Sequence, residues 1–176
     1  MLNCGVKKKT TYSKNKNYSN TRKVTVEASK SDRNSTPRKT VRNSSRKSTS
    51  VADNVINTAL TFSGTRYKYG GTTKKGMDCS GLLYVSFGEH DVQLPRVSYH
   101  MAEEGKKVKI KNVEKGDLLF FKTRKRARRI NHVGMVVAVE GDEIKFIHSS
   151  SSRGVIVSSL REGYWNHAFV KATRVL

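Results

Sequence analysis

Gly76-Met77-Asp78-Cys79-Ser80-Gly81-Leu82-Leu83-Tyr84-Val85-Ser86-Phe87-Gly88 is the stretch whose reading decides the fold. A helix is expected to begin at Asp78 or Cys79. Leu82, Leu83, Tyr84, Val85 and Phe87 make it apolar on nearly every side, the pattern of a helix buried at the centre of a domain. Gly88 can end it. Cys79 then faces the unpaired N–H groups and positive dipole end of the helix N-terminus. A lone cysteine is more often a buried, inert residue. The dipole alone does not change that. It is worth about 0.3–1 kcal/mol against about 1.4 kcal/mol per pKa unit, so it lowers the thiol pKa by less than about one unit. A thiolate at neutral pH needs a second partner, and an imidazolium is the usual one.

Upstream, Ser50 followed by Asp53 resembles a capped helix start. Ala52, Val55, Ile56, Ala59 and Leu60 then share one face at helical spacing, and Gly64 is a stop. Downstream, Leu94-Pro95-Arg96 is extended, since the residue before proline leaves the α region. Ser98 can cap a short helix running through Met101 to Glu104, ended by Gly105. The pattern then turns to strands at residues 117–122, 132–139, 143–149, 154–159 and 169–175, with a hairpin about Gly141-Asp142 and a helical turn at Gly163-Tyr164-Trp165. Helices first and an antiparallel sheet after them predict an α+β fold.

Residues 51–176 form the expected domain. The first 50 residues differ in kind. They hold 14 of the 35 Lys+Arg against two acids, so they carry +12 of the formal +21. Their apolar residues are few and scattered. Such a segment cannot offset an ordering entropy of roughly 1–2 kcal/mol per residue, so a disordered basic linker is expected. The start, Met1-Leu2-Asn3-Cys4-Gly5, resembles the end of a bacterial lipoprotein signal with Cys4 as the lipidated residue. The apolar stretch that precedes such a cysteine is not in the sequence, and Asn3 is uncommon at that position. No run of about 18 apolar residues occurs, so no transmembrane helix is expected. Cys4 and Cys79 make a poor structural disulfide, and no metal or cofactor is expected from two thiols.

Of the five histidines, His132 opens an apolar strand and His148 closes its partner strand. A histidine in so apolar a strand needs a hydrogen-bond partner. Two satisfied core histidines is the plain reading of either one alone. Two on one hairpin, beside one well-placed thiol, point to a site. Residues 122–130, six of nine basic, form an exposed loop between strands. Either it is simply solvated or it contacts a polyanion. No RNP pattern, zinc finger or helix-turn-helix accompanies it.

Six motifs occur in order: Arg66-Tyr67-Lys68-Tyr69-Gly70-Gly71, Asp78-Cys79-Ser80-Gly81, Leu94-Pro95-Arg96-Val97-Ser98, Lys115-Gly116-Asp117-Leu118-Leu119-Phe120-Phe121, Asn131-His132-Val133-Gly134-Met135 and Phe146-Ile147-His148. Any one is weak; the ordered set is specific. Over about residues 52–175 the chain resembles the NlpC family of bacterial cell-wall peptidases, which includes the p-sixty autolysins. The resemblance implies a papain-like α+β fold and cleavage of peptidoglycan stem peptides. It implies Cys79 as nucleophile, His132 as its base and His148 as the group that orients His132. It further implies Tyr67 at the oxyanion, with Asp78 and Ser80 along the peptide. For Asp78 a helix cap is an equal expectation, and Arg96 and Ser98 are expected to be structural.

A two-residue turn in the hairpin would put His132 and His148 on opposite faces; an odd loop puts them together. An odd loop at Gly141 is therefore expected. The implied setting is the periplasmic side of the bacterial cell envelope, as a monomer, with the basic tail against an anionic membrane or envelope surface. The alternatives are an inactive peptidoglycan-binding module and, from the +21 charge, a polyanion or nucleic-acid binder. Nucleic acid is not the expected partner, since the tail offers few aromatics beyond Tyr12 and Tyr18.

Overall fold

A computed structural model describes residues 50–176. Cys4 and the expected disordered linker lie outside the described residues, apart from Ser50.

The first helix, α1 (Val51–Leu60), starts where the Ser50 cap predicts. Ser50 Oγ accepts from the Asp53 N–H at 3.1 Å, and Val55, Ile56 and Ala59 are buried. A small ribbon follows, β1 (Thr72–Thr73) against β2 (Gly76–Met77). Then comes α2 (Cys79–Gly88), capped by Asp78, whose side chain accepts from the Gly81 N–H. Leu82, Leu83 and Phe87 are fully buried, but Tyr84 is 44% exposed and Val85 only partly buried, so α2 is central yet not enclosed on every side as its composition predicts. The short helix α3 (Ser98–Met101) differs in detail. Its cap position is Val97, without a side-chain cap bond, and the helix stops at Met101. Ser98 therefore sits inside the first turn.

Six strands form one antiparallel sheet: β3 (Lys106–Val108), β4 (Leu118–Phe121), β5 (His132–Glu140), β6 (Glu143–Ser150), β7 (Gly154–Ser159) and β8 (Phe169–Arg174). Their order is β3-β8-β4-β5-β6-β7. A last helix, α4 (Gly163–Ala168), precedes β8. The sheet separates two apolar clusters. On one side Val133, Met135 and Ile147 join α1 and α2; on the other Phe121, Val136 and Phe146 join Trp165 and Ala168 of α4. The Lys115-Gly116-Asp117 motif is structural. Buried Asp117 accepts from Arg174 Nε at 2.7 Å and from its second guanidinium nitrogen at 2.8 Å, tying β4 to β8.

The hairpin corrects one expectation. Its turn is the two-residue Gly141-Asp142, closed by Glu140 opposite Glu143, with Gly141 at φ +59°. The odd residue lies elsewhere. Pairing passes from Ala138 opposite Lys145 to Val136 opposite Phe146, so Val137 is an extra residue in β5, a β-bulge. The extra residue shifts parity as an odd loop does, and His132 and His148 share a face.

Between these histidines lies Gly134, whose absent side chain makes the room. A Cβ there would stand 2.6 Å from the Phe146 ring and 3.0 Å from the Ile147 carbonyl oxygen. Gly134→Ala is expected to cost about 1–3 kcal/mol, as overpacked cores do. Gly88→Ala, in a helix and facing open space, is expected to be neutral or to gain about 0.5–1 kcal/mol. Urea unfolding of both variants beside wild type checks the pair; an undisturbed Gly134→Ala protein would contradict the packing argument.

Candidate active site

The imidazoles of His132 and His148 meet directly: His132 Nε2 lies 3.1 Å from His148 Nδ1. His148 Nε2 in turn lies 3.1 Å from Ser158 Oγ on β7. Ser158 falls on the same face because His148 pairs with Ile156, two residues earlier. A line of three polar groups thus crosses three neighbouring strands. Each residue is buried, His148 completely. The His132 Nδ1 makes no hydrogen bond among the described residues.

Aromatic rings enclose this line. Trp165 stacks on His132, with centroids 5.2 Å apart and planes at 25°. The same indole meets His148 edge-on at 4.6 Å. Phe121, the β4 partner of His132, stands 5.9 Å from its ring, and Phe146 stands 5.0 Å from His148. Burial in this box pushes His132 down to about 4. It pushes His148 down to about 3, helped by repulsion from His132 and Arg153. Both rings are neutral at neutral pH. A neutral ring whose Nε2 donates to the next acceptor has a bare Nδ1, which can take a proton.

Cys79 approaches from the helix side of the sheet. The β5–β6 pairing stops at Met135 opposite Ile147. Beyond it the Val133 N–H turns to the Cys79 sulfur, and Ser149 Oγ donates to the Met77 carbonyl at 2.8 Å. The sulfur therefore sits where the two strands part, against the residue next to His132. No hydrogen bond joins Sγ to the His132 ring among the described residues. Burial pushes the thiol up to about 11, and the Asp78 charge adds to this; the N–H groups of Val133, Ser80 and Cys79 itself pull the other way. The helix N-terminus is thus outweighed, and the resting thiol is neutral.

The other expected site residues gather around the sulfur. Tyr67 is half-buried beside it. Desolvation first, then the charges of Cys79 and Asp78, hold its hydroxyl above the usual phenol range. Asp78 is both cap and ion-pair partner. Oδ1 accepts from the Gly81 N–H at 2.6 Å and from Arg96 at 2.9 Å; Oδ2 accepts from the Gly70 N–H at 2.7 Å and from Arg96 at 2.9 Å. Arg96 also donates to Ser80 Oγ at 2.8 Å. This network fixes the start of α2 to the Gly70-Gly71 loop, and Arg96 is structural, as expected. Of the remaining histidines, His90 bonds Thr58, away from this cluster. Sequence reasoning missed Trp165 and Ser158 as site residues. Trp165 carried a signal, as the chain's one tryptophan in a short helical turn; Ser158 carried none. Among the described residues no group of three His, Cys, Asp or Glu side chains is placed to hold a metal, and no helix is long and apolar enough to cross a membrane.

A cysteine at the start of a buried helix, laid against an antiparallel sheet that carries the histidines, defines a papain-like α+β fold. The chain belongs to the NlpC/P60 family, whose model matches residues 64–174. It is 39% identical over 127 residues to the Escherichia coli (strain K12) protein named murein DD-endopeptidase MepS/murein LD-carboxypeptidase, covering 72% of this chain and 64% of that protein. The chain thus spans somewhat less than two thirds of that relative's length. A solved NlpC/P60 family protein from Bacillus cereus is 32% identical, with a TM-score of 0.65, over 71% of this chain and 40% of that one. RipD from Mycobacterium tuberculosis, named a non-catalytic NlpC/p60 domain protein, shares the fold at 23% identity and a TM-score of 0.59, over 73% of this chain and 99% of that one.

The buried neutral histidines link stability to pH. Their folded pKa values, about 4 and about 3, lie below the ordinary 6.5. Between those values the unfolded chain binds protons that the folded chain does not. Their contribution is full above about pH 6.5 and is lost as pH falls through about 4 and 3. Thermal unfolding is expected to show this decline, and His148→Gln to flatten it. An unchanged slope in that variant would place the titration elsewhere.

Proposed function

We propose that the chain is a cysteine endopeptidase that hydrolyses peptide bonds in peptidoglycan stem peptides, acting in the bacterial cell envelope. The observation that carries the reading is the line His132–His148–Ser158, with the Val133 N–H, next to His132, turned to the Cys79 sulfur. The murein-endopeptidase name of the Escherichia coli relative supports the substrate class.

The chemistry follows from two neutral groups. The Cys79 sulfur attacks the carbonyl carbon of the scissile bond as its proton moves to His132 Nδ1. No standing thiolate is required, because charge forms only as the bond forms. His132 becomes an imidazolium, and its Nε2–H donates to His148 throughout. Ser158 Oγ accepts from His148 Nε2–H, which keeps Nδ1 of His148 free to accept. Ser158 and His148 are therefore positioning residues that set the tautomer of His132. The oxyanion is held by the Cys79 N–H and the Tyr67 hydroxyl. His132 then gives its proton to the leaving amine, and a thioester remains on Cys79. Water attacks the thioester, its proton passing through His132 to the departing sulfur. The carboxylate product leaves and the thiol is restored. Asp78 and Ser80, held by Arg96, shape the wall along which the peptide lies.

The inactive binding module is the second reading. The ordered line His132–His148–Ser158 counts against it, since binding alone has no use for a tautomer.

Cys79→Ala is expected to abolish release of muropeptides from purified sacculi while leaving the thermal transition in place; undiminished release would refute the assignment. For wild type, kcat/KM reports the free protein's ionisations. Its acid limb is expected toward about pH 4, where His132 is lost as a base. A limb near the ordinary imidazole value would contradict the lowering of His132 by burial.

A further inference from the structure

The loop of residues 122–130 leads directly to His132, and its place is fixed at both ends. The Lys122 N–H donates to the Ala168 carbonyl at the end of α4 (2.8 Å), and the Tyr164 hydroxyl donates to the Thr123 carbonyl at 3.3 Å. The Thr123 N–H donates to Asn131 Oδ1 at 2.9 Å, and the Asn131 N–H to the Phe121 carbonyl at 3.1 Å. The next residue is His132. The loop thus leaves and re-enters the sheet at the rung where Phe121 pairs with His132.

Six cations occupy this loop: Lys122, Arg124, Lys125, Arg126, Arg128 and Arg129. All are exposed, with no acid among residues 122–130. None forms an ion pair among the described residues. One of them packs on α3, and the charge of another acts on Tyr67. The Arg129 guanidinium lies over the Tyr99 ring at 4.5 Å, on α3. The charge of Arg124 favours the phenolate of Tyr67. Unpaired like charges held this close repel one another and raise the local concentration of anions.

We propose that this loop is a recognition surface for free carboxylates of the substrate peptide, with Arg124 and the neighbouring Lys125, Arg126 and Arg128 binding them beside His132 while the Arg129–Tyr99 stack holds the loop in place. The proposal deepens the stem-peptide reading and rests on it for the substrate class. Stem peptides contain D-glutamate and a diamino acid, whose carboxylates match guanidinium forks in charge and shape. A solvated loop needs no such stack on α3, and a general polyanion surface has no reason to begin and end at the catalytic strand.

The test measures binding rather than cleavage, so that it is independent of turnover. The full chain carrying Cys79→Ala is titrated calorimetrically with a soluble stem tetrapeptide, once with free carboxylates and once with them converted to carboxamides. The titration is repeated with Arg124→Gln, Lys125→Gln, Arg126→Gln and Arg128→Gln combined, keeping the Arg129 stack, and with Arg124→Gln alone. Neutralising the loop is expected to weaken the carboxylate peptide about tenfold and the carboxamide less than about twofold, with Arg124→Gln giving part of the loss. Equal losses for both peptides, no loss, or no binding of the carboxylate peptide by the parent overturns the proposal. So does loss of duplex DNA binding with peptide affinity unchanged, which would make the loop a polyanion surface. If the combined variant does not fold, Arg124→Gln decides between the same outcomes. Charge-dependent binding by a chain that releases nothing from sacculi would leave the loop proposal standing and remove the hydrolase reading.

Discussion

One extra residue, Val137, sets the side of the sheet on which two imidazoles meet. Side chains alternate along a strand, so a single inserted residue moves everything beyond it to the other face. Without the bulge, a two-residue turn at Gly141-Asp142 would leave His148 on the opposite face from His132. With it, Gly134 falls opposite His148, and its missing Cβ lets the two rings close to 3.1 Å. The α4 helix then lays Trp165 over both. The register of β6 against β7 adds Ser158 at the far end. The meeting of the two imidazoles depends on the bulge, while Ser158 and Trp165 join them through the β6–β7 register and the docking of α4.

The enclosure has an electrostatic consequence. An aromatic box offers no counter-charge and excludes water, so burial favours the uncharged form of every titratable group inside it. His132 and His148 are pushed toward neutrality inside it, and Cys79 by its own burial on the helix side of the sheet. A site built this way does not store a thiolate. It holds an ordered, uncharged donor–acceptor line. The rigid start of α2 serves the same end. Asp78 joins Gly70, Gly81 and Arg96 with both carboxylate oxygens, so the sulfur is positioned by a network that does not itself face the chemistry.

Much of this was legible in the sequence, where patterns are local. The all-round apolar helix from Cys79, the cap at Ser50 and the five longer strands follow from composition and alternation. The short strands β1, β2 and β3 span only two or three residues, too few to show a period. The need for odd parity between His132 and His148 was readable, but its location was not. Met135-Val136-Val137-Ala138-Val139 is apolar at every position, so a slip of one residue leaves no trace in the pattern. Ser158 and Trp165 reach the site through strand register and helix docking, which no short window contains. The neutral state of the thiol was likewise hidden. From sequence only the helix dipole could be counted, whereas the larger opposing effect is burial, which exists once the sheet has closed over the helix.

The central claim is that His132 and His148 form a neutral line whose proton order leaves Nδ1 of His132 bare. Nitrogen-15 NMR of ring-labelled histidine reads this directly, since protonated, bare and imidazolium nitrogens have separate shifts. The account predicts both rings uncharged from neutral pH down to about pH 5, with the His132 proton on Nε2. An imidazolium at neutral pH, or a proton resting on Nδ1 of His132, would contradict it.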